Sequence, residues 1–502
     1  MSDPSGSASN LKQREVRRAF LQVFIPAKVT EESGIPSGLS WTPLSWCGQP
    51  QAHLTPSVWT YLSKRALDHV RADMPVTVAP GESPSASPRG LQDLRLSIVR
   101  SIGTGTYRTR TAATLRLTAE GIQLFRFATG VAILRLEFEV EARDGLRLGQ
   151  LLKATNAVRS WCQRADGRKG GRCLLVCRKA AARWPEGSKA AARSPKRGRR
   201  AAWERLSNGH VVALEELIGD ILLMAPDAPL APSFADARGG PILSVARIAP
   251  PSSPGGEDAT AFRETAFRLH AGYDVDYLPP AVVGTGEWDG LFETFDRIAF
   301  CGALEGAAAL YEDRGIDFDN QFCANARHQY SLVYLLALHQ REAMLRLAER
   351  AASLPDLGKQ DPDAKEIRDL RDALREFRLH HRFTDVARTS MYAGFYALLE
   401  RRLNLAQLHS ELDEEIAEID AYLQQRRDER LGDKVRGLNF IVAALAPLGL
   451  GVSYLGANIV ADMTWNNPSV WLPCAGCVAL TVVLAWGAWP RDGRRSPARK
   501  RP

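Results

Sequence analysis

Apolar positions along the chain change their period twice. Between residues 17 and 300 they fall in short runs, clearest where Leu134, Leu136, Phe138 and Val140 alternate with Arg135, Glu137 and Glu139. That period of two is the pattern of a strand with one buried face. Phe20 to Pro26, Leu94 to Val99, Ile122 to Phe127 and residues 241–249 share the strand character, and residues 210–224 suit an amphipathic helix. Residues 1–16 read as a flexible arm and 81–90, GESPSASPRG, as a loop. These elements predict an α+β domain over residues 17–300.

From Asp319 the spacing becomes helical. Residues 320–352 run without Gly or Pro, and after the break SLPDLGKQDPDA a charged helix is expected over 364–382. A third helix should start near Thr384, with Gly394 and Gly432 as its weak points. Within it Leu405, Leu408, Leu412, Ile416, Ile419 and Leu423 recur at spacings of three and four, an apolar seam of coiled-coil type. Residues 384–461 would then form about 115 Å of nearly continuous helix. Such a helix is expected to pack against residues 320–382 and against copies of itself, so residues 301–436 read as a stalk.

Two uncharged apolar runs follow, 24 residues from Leu438 to Ala461 and 21 from Ser469 to Trp489. Either is long enough to cross a hydrocarbon core of about 30 Å as a helix. The loop between them, 462–468, holds no Lys or Arg, whereas Arg426, Arg427, Arg430, Lys434 and Arg436 precede the first run and a basic tail over 491–502 follows the second. The positive-inside rule puts both termini in the cytoplasm of a multi-pass protein of the cell (inner) membrane. Trp465, Trp471, Trp486 and Trp489 stand at the expected interfaces. The polar N-terminus lacks the apolar core of a signal peptide. The fold class expected is therefore an α+β cytoplasmic domain, a long helical stalk and a two-helix transmembrane hairpin.

Composition adds exclusions. The 502 residues are 45% hydrophobic and 24% charged with mean hydropathy −0.20, enough to bury a sizeable core. Eight irregularly spaced cysteines make no disulfide framework. Residues 159–205 carry 15 Lys or Arg against three acids, an excess of 12 where the whole chain has +8. This stretch reads as a solvated basic insertion, with contact to anionic lipid as its functional alternative and nucleic acid disfavoured for want of an aromatic platform. Cys474 and Cys477 form a CxxC inside the second apolar run and read as helix packing; Cys162, Cys173 and Cys177 lack His partners at zinc spacing. His380 and His381 read as solvated. No GxxxxGKS, GxGxxG, GxSxG or HExxH occurs, so no enzyme and no cofactor are expected.

Two membrane helices cannot enclose a water-filled path, so a channel would need a homo-oligomer. Val435, Leu438, Val442, Ala446, Gly449, Ser453 and Gly456 lie at spacings of 3, 4, 4, 3, 4 and 3 and share one helix face. In a ring of such helices the inner part is a hydrophobic constriction and Asn458 offers amide oxygens at the outer end; small residues used only for packing explain the face equally well. The six acids of residues 411–420, among them Glu411, Glu414, Glu415 and Glu418, read either as a solvated coiled-coil face or as carboxylates that hold regulatory divalent cations between subunits. Asp313, Asp317 and Asp319 form a second acidic group without the EF-hand pattern.

The string APLGLGVSYLGAN, 446–458, followed by a short loop, a second apolar run and a basic tail, resembles the CorA-type magnesium channels. Gly456, Ala457 and Asn458 stand where that family has Gly-Met-Asn, and Pro447 where its first membrane helix has proline. The resemblance implies a homopentamer that conducts divalent cations, Mg2+ first, with Gly456, Ala457 and Asn458 as selectivity filter. It further implies Val435, Leu438, Val442, Ala446 and Gly449 as pore and gate, and Asp462, the loop's one acid, at the pore mouth. The family's Met-Pro-Glu loop motif is absent. A membrane-anchored oligomeric sensor or effector on the same scaffold, without sustained transport, remains the alternative.

Overall fold

The computed structural model describes residues 12–29, 39–44, 70–77, 94–103, 106–160, 173–177, 202–223, 225, 229–233, 241–250, 256–353, 364–382, 386–387, 389–457 and 475–483. They divide into two units, Met1–Glu414 and Glu415–Pro502.

The first unit is built on a 14-stranded sheet. Its strands are β1 (Glu15–Val29), β2 (Leu39–Leu44), β3 (Val70–Thr77), β4 (Leu94–Gly103), β5 (Thr106–Phe127), β6 (Ala132–Ala142), β7 (Leu146–Arg147), β8 (Leu174–Cys177), β9 (Val212–Ala213), β10 (Leu230–Pro232), β11 (Ile242–Ile248), β12 (Leu291–Phe295), β13 (Ile298–Ala303) and β14 (Gly306–Glu312). The main path runs β12-β13-β14-β11-β1-β6-β5-β4-β8-β9, and β11 with β14 is its parallel pair. The three strand runs read before residue 130 and residues 134–140 lie inside β1, β4, β5 and β6, and residues 241–249 overlap β11.

β1 is central because both of its faces are covered. Leu21, Val23 and Ile25 join one core with α1 (Leu148–Arg159), α3 (Leu214–Leu223) and α4 (Gly256–Ala271); the short α2 (Ala202–Ser207) lies between α1 and α3 in the chain. The alternate residues Phe20, Gln22 and Phe24 meet the second helical layer. That layer comes after α5 (Ala281–Thr285) and consists of α6 (Ile316–Asn325), a π-turn at Ala326–Tyr330, α7 (Ser331–Ser353), α8 (Ala364–His380) and α9 (Ser390–Arg402). Tyr334 of α7 packs edge-on to Phe24 at 5.1 Å, and Phe395 of α9 lies 5.2 Å from Phe300 of β13.

Four expectations change. β6 does not have one solvent face: Arg135 is 3% exposed beneath the second helical layer. The sheet continues past residue 300, because the small residues of GAAALYE let β14 lie flat beside β11, and Gly306 approaches so closely that a Cβ there would stand 2.5 Å from the His270 carbonyl. The basic stretch is not one loop: Leu174–Cys177 is a sheet strand between β4 and β9, and the first turn of α2 is capped by buried Asp220, whose Oδ2 accepts from the Ala202 amide at 2.7 Å. Residues 178–201 lie outside the described residues.

The third helix is interrupted at neither glycine but at Asn404, whose φ of 57° ends α9. Asparagine tolerates this left-handed conformation at lower cost than branched residues. Gly394 sits inside α9, where a Cβ would stand 2.3 Å from the Phe292 ring. α10 then runs Leu405–Ala457, 53 residues or about 80 Å. In the second unit, residues 415–457 continue α10 and residues 475–483 are helical.

Candidate functional site

α10 carries most of the sequence-predicted site. At its start the apolar seam faces inward: Leu405, Leu412, Ile416 and Ile419 are buried, and Leu408 and Leu423 half-buried. Phe377 of α8 stacks at 5.9 Å on His409, and Asp413 receives Arg378 at 3.4 Å and Arg382 at 3.5 Å. Asp413, among the six stalk carboxylates, is thus neutralised by arginines. Glu411 accepts from Gln407 at 2.9 Å, Glu411, Glu414 and Glu418 are exposed, and Glu415 is half-buried. Among the described residues, no group of three or more His, Cys, Asp or Glu side chains could hold a metal ion within one chain.

Further along α10 apolar side chains turn outward. Val435 is 52% exposed, Leu438 61% and Val442 59%, and Ala446 and Gly449 are exposed as well. The stripe therefore exists as a continuous helical face. Leu431, Ile441, Leu445 and Leu450 are also exposed, and at about 100° per residue the apolar side chains cover roughly half the helix circumference. A Cβ at Gly432, Gly437 or Gly449 would meet nothing within 4 Å, so no close packing among the described residues explains glycine there. Gly456 and Ala457 are the last residues of α10, and Asn458 and Asp462 lie outside the described residues.

Among the described residues no helix is long and apolar enough to cross a membrane. Of the two apolar runs, the described helices retain 438–457 and 475–483. The other metal and redox candidates are placed as follows. Asp313 is held by Arg247 at 2.6 Å and lies 3.9 Å from Arg17. Cys173 is buried in β-sheet core, which pushes its thiol up to about 12. Cys477 is half-buried, and Cys162 and Cys474 lie outside the described residues.

Sequence reasoning missed the buried polar centre between sheet and second helical layer. Glu137 accepts from Gln22 at 2.7 Å and pairs with Arg327 Nε at 2.7 Å. Gln22 also donates to the Arg327 carbonyl at 2.9 Å, and Arg135 donates to Ser331 Oγ at 2.8 Å. Burial lowers the Arg135 pKa, against the opposing pull of Glu137. The π-turn presents the Arg327 carbonyl to both donors, a use that fits the habit of π-bulges to serve local demands. Four buried histidines, His270, His339, His381 and His409, were missed likewise, and His381 corrects the reading of a solvated pair: its neighbour His380 is exposed but His381 is 1% exposed. His339 stacks on Phe127 at 3.8 Å and shares a 2.8 Å hydrogen bond with Thr129.

Comparison with known proteins adds little. No model of a known protein family matches the chain, and no curated protein matches it. Among solved structures, the full-length CmaX protein is 12% identical over 56% of this chain and 92% of its own, with a TM-score of 0.20. The CorA magnesium transporter from Methanocaldococcus jannaschii is 12% identical over 54% of this chain and 96% of its own, with a TM-score of 0.21. Similarities this loose carry no argument about this chain.

Proposed function

We propose that the chain is a homo-oligomeric membrane protein that passes divalent cations, Mg2+ first, along a path lined by the 438–461 segment, and that it is not an enzyme. The observation that carries this reading is α10, one helix that joins a carboxylate-bearing start to an outward-facing apolar end. A row of apolar side chains more than half exposed is costly in water and calls for lipid or further copies of the same helix. The charge-free runs with basic flanks supply the membrane, and two helices per chain require several copies to enclose a path. In such a ring Val435, Leu438 and Val442 form a constriction that stops ions by dewetting, and Gly456, Ala457 and Asn458 close the outer end with Asp462 beyond.

The breadth of the exposed face favours a second reading. Apolar side chains around half of α10 exceed what a narrow pore stripe needs, which suits a membrane-anchored sensor or effector. Val442→Asn separates the two. Wetting a hydrophobic gate should raise Mg2+ leak through reconstituted vesicles severalfold, whereas an anchor should show no flux in either form.

A further inference from the structure

The β4–β5 hairpin places arginines opposite each other twice. Arg95 is registered against Arg116, and Arg100 against Arg108. Directly opposed like charges destabilise a sheet, and the two pairs are treated differently. The first is compensated: Arg116 lies 3.5 Å from Glu139 and 4.0 Å from Glu141, and Arg95 lies 3.9 Å from Glu141. The second has no such relief. Arg100 and Arg108 are exposed, and among the described residues no carboxylate pairs with either.

A third guanidinium joins them. Arg110 is exposed two residues beyond Arg108, where the β4–β5 register shifts between the Val99–Thr109 and Ser97–Thr114 pairs. β8 pairs with β4 through Val99 and Leu174, and one further step of that register sets Cys173 beside Arg100. Arg110 acts electrostatically on the Cys173 thiol, which brings Arg110 to the same end of the sheet as Arg100. Arg100 alternates in phase with Leu96 and Ile98, Arg108 stands opposite it in register, and Arg110 comes to the same end of the sheet.

We infer that Arg100, Arg108 and Arg110 form a binding site for a phosphate-bearing anion, either a free phosphate compound or a phospholipid headgroup. Guanidinium forks match phosphate oxygens bidentately and are little hydrated, so an anion seated between them turns the repulsion into a contact. The inference is independent of the ion path.

The test uses the full chain in neutral detergent, titrated with inorganic pyrophosphate and, separately, with water-soluble dioctanoyl phosphatidylglycerol, followed by calorimetry and thermal unfolding. Saturable binding of either probe is expected, weakened about tenfold or more in Arg100→Gln/Arg108→Gln. That double variant should unfold at the same or a higher temperature without ligand, since it removes like-charge repulsion. Arg116→Gln, whose charge is already paired, should bind as wild type does. Preference for one probe identifies the source of the phosphate. Equal affinity in wild type and double variant, or no binding of either probe up to about 1 mM, overturns the inference.

Discussion

Glu137 is the acceptor on which two elements converge, Gln22 from β1 and Arg327 from the π-turn. Arg327 and Glu137 are both half-buried, and removing Glu137 takes an acceptor from the buried Gln22 amide, so Glu137→Ala should cost about 2 kcal/mol of stability. Glu418→Ala on the exposed stalk should stay within about 0.5 kcal/mol. Urea unfolding midpoints at unchanged slope check both, and equal shifts would contradict the assigned burial. The buried imidazoles make a second prediction. Burial lowers His270 to about 3 and His409 to about 4, with Arg159 and Arg402 adding to the first and Arg382 to the second. Burial likewise lowers His339, helped by His381 and Arg346. The unfolded chain then binds protons below about pH 6.5 that the folded chain refuses. Stability is complete above that pH and falls as the pH drops toward 4. His270→Phe, among Phe267, Tyr273 and Trp288, should make that fall shallower by up to about 1.4 kcal/mol per pH unit. An unchanged pH profile would contradict a neutral buried His270.

At the scale of elements, the junction of α9 and α10 rests on one left-handed residue. Asn404→Gly should be nearly neutral, whereas Asn404→Val should cost about 1–2 kcal/mol in thermal unfolding; equal effects would mean the left-handed turn is unimportant. The stalk carries a different prediction, because Glu414, Glu415 and Glu418 together replaced by Gln should alter the Mg2+ dependence of any flux while leaving the helix content seen by circular dichroism unchanged. These elements were unequally legible. The central strands were plain from alternation, since Leu134, Leu136, Phe138 and Val140 could be buried in no other period. The second covered face was not, because Arg135 and Glu137 carry the signature of solvent-facing residues, and Arg135 is buried and Glu137 half-buried through long-range partners on the π-turn and α7. The break at Asn404 was hidden for a similar reason: asparagine is compatible with a helix, and glycine is the more conspicuous breaker.

For the whole molecule, the sequence divides into a sheet domain and an apolar C-terminal end, and the two described units fall on either side of Glu414. The candidate stripe over Val435 to Gly449 was readable from spacing alone, and its residues are exposed on α10. What spacing does not convey is a function that arises only between copies, since no residue of a single chain faces itself across a pore. The proposed path therefore depends on Asn458, and the most direct measurement is Mg2+ uptake into proteoliposomes holding wild type or Asn458→Ala, with oligomer size determined on the same samples. Saturable uptake by the wild type, altered in an Asn458→Ala oligomer of the same size, is the expected result; intact oligomers that pass no Mg2+ at high or low internal concentration would contradict the ion path.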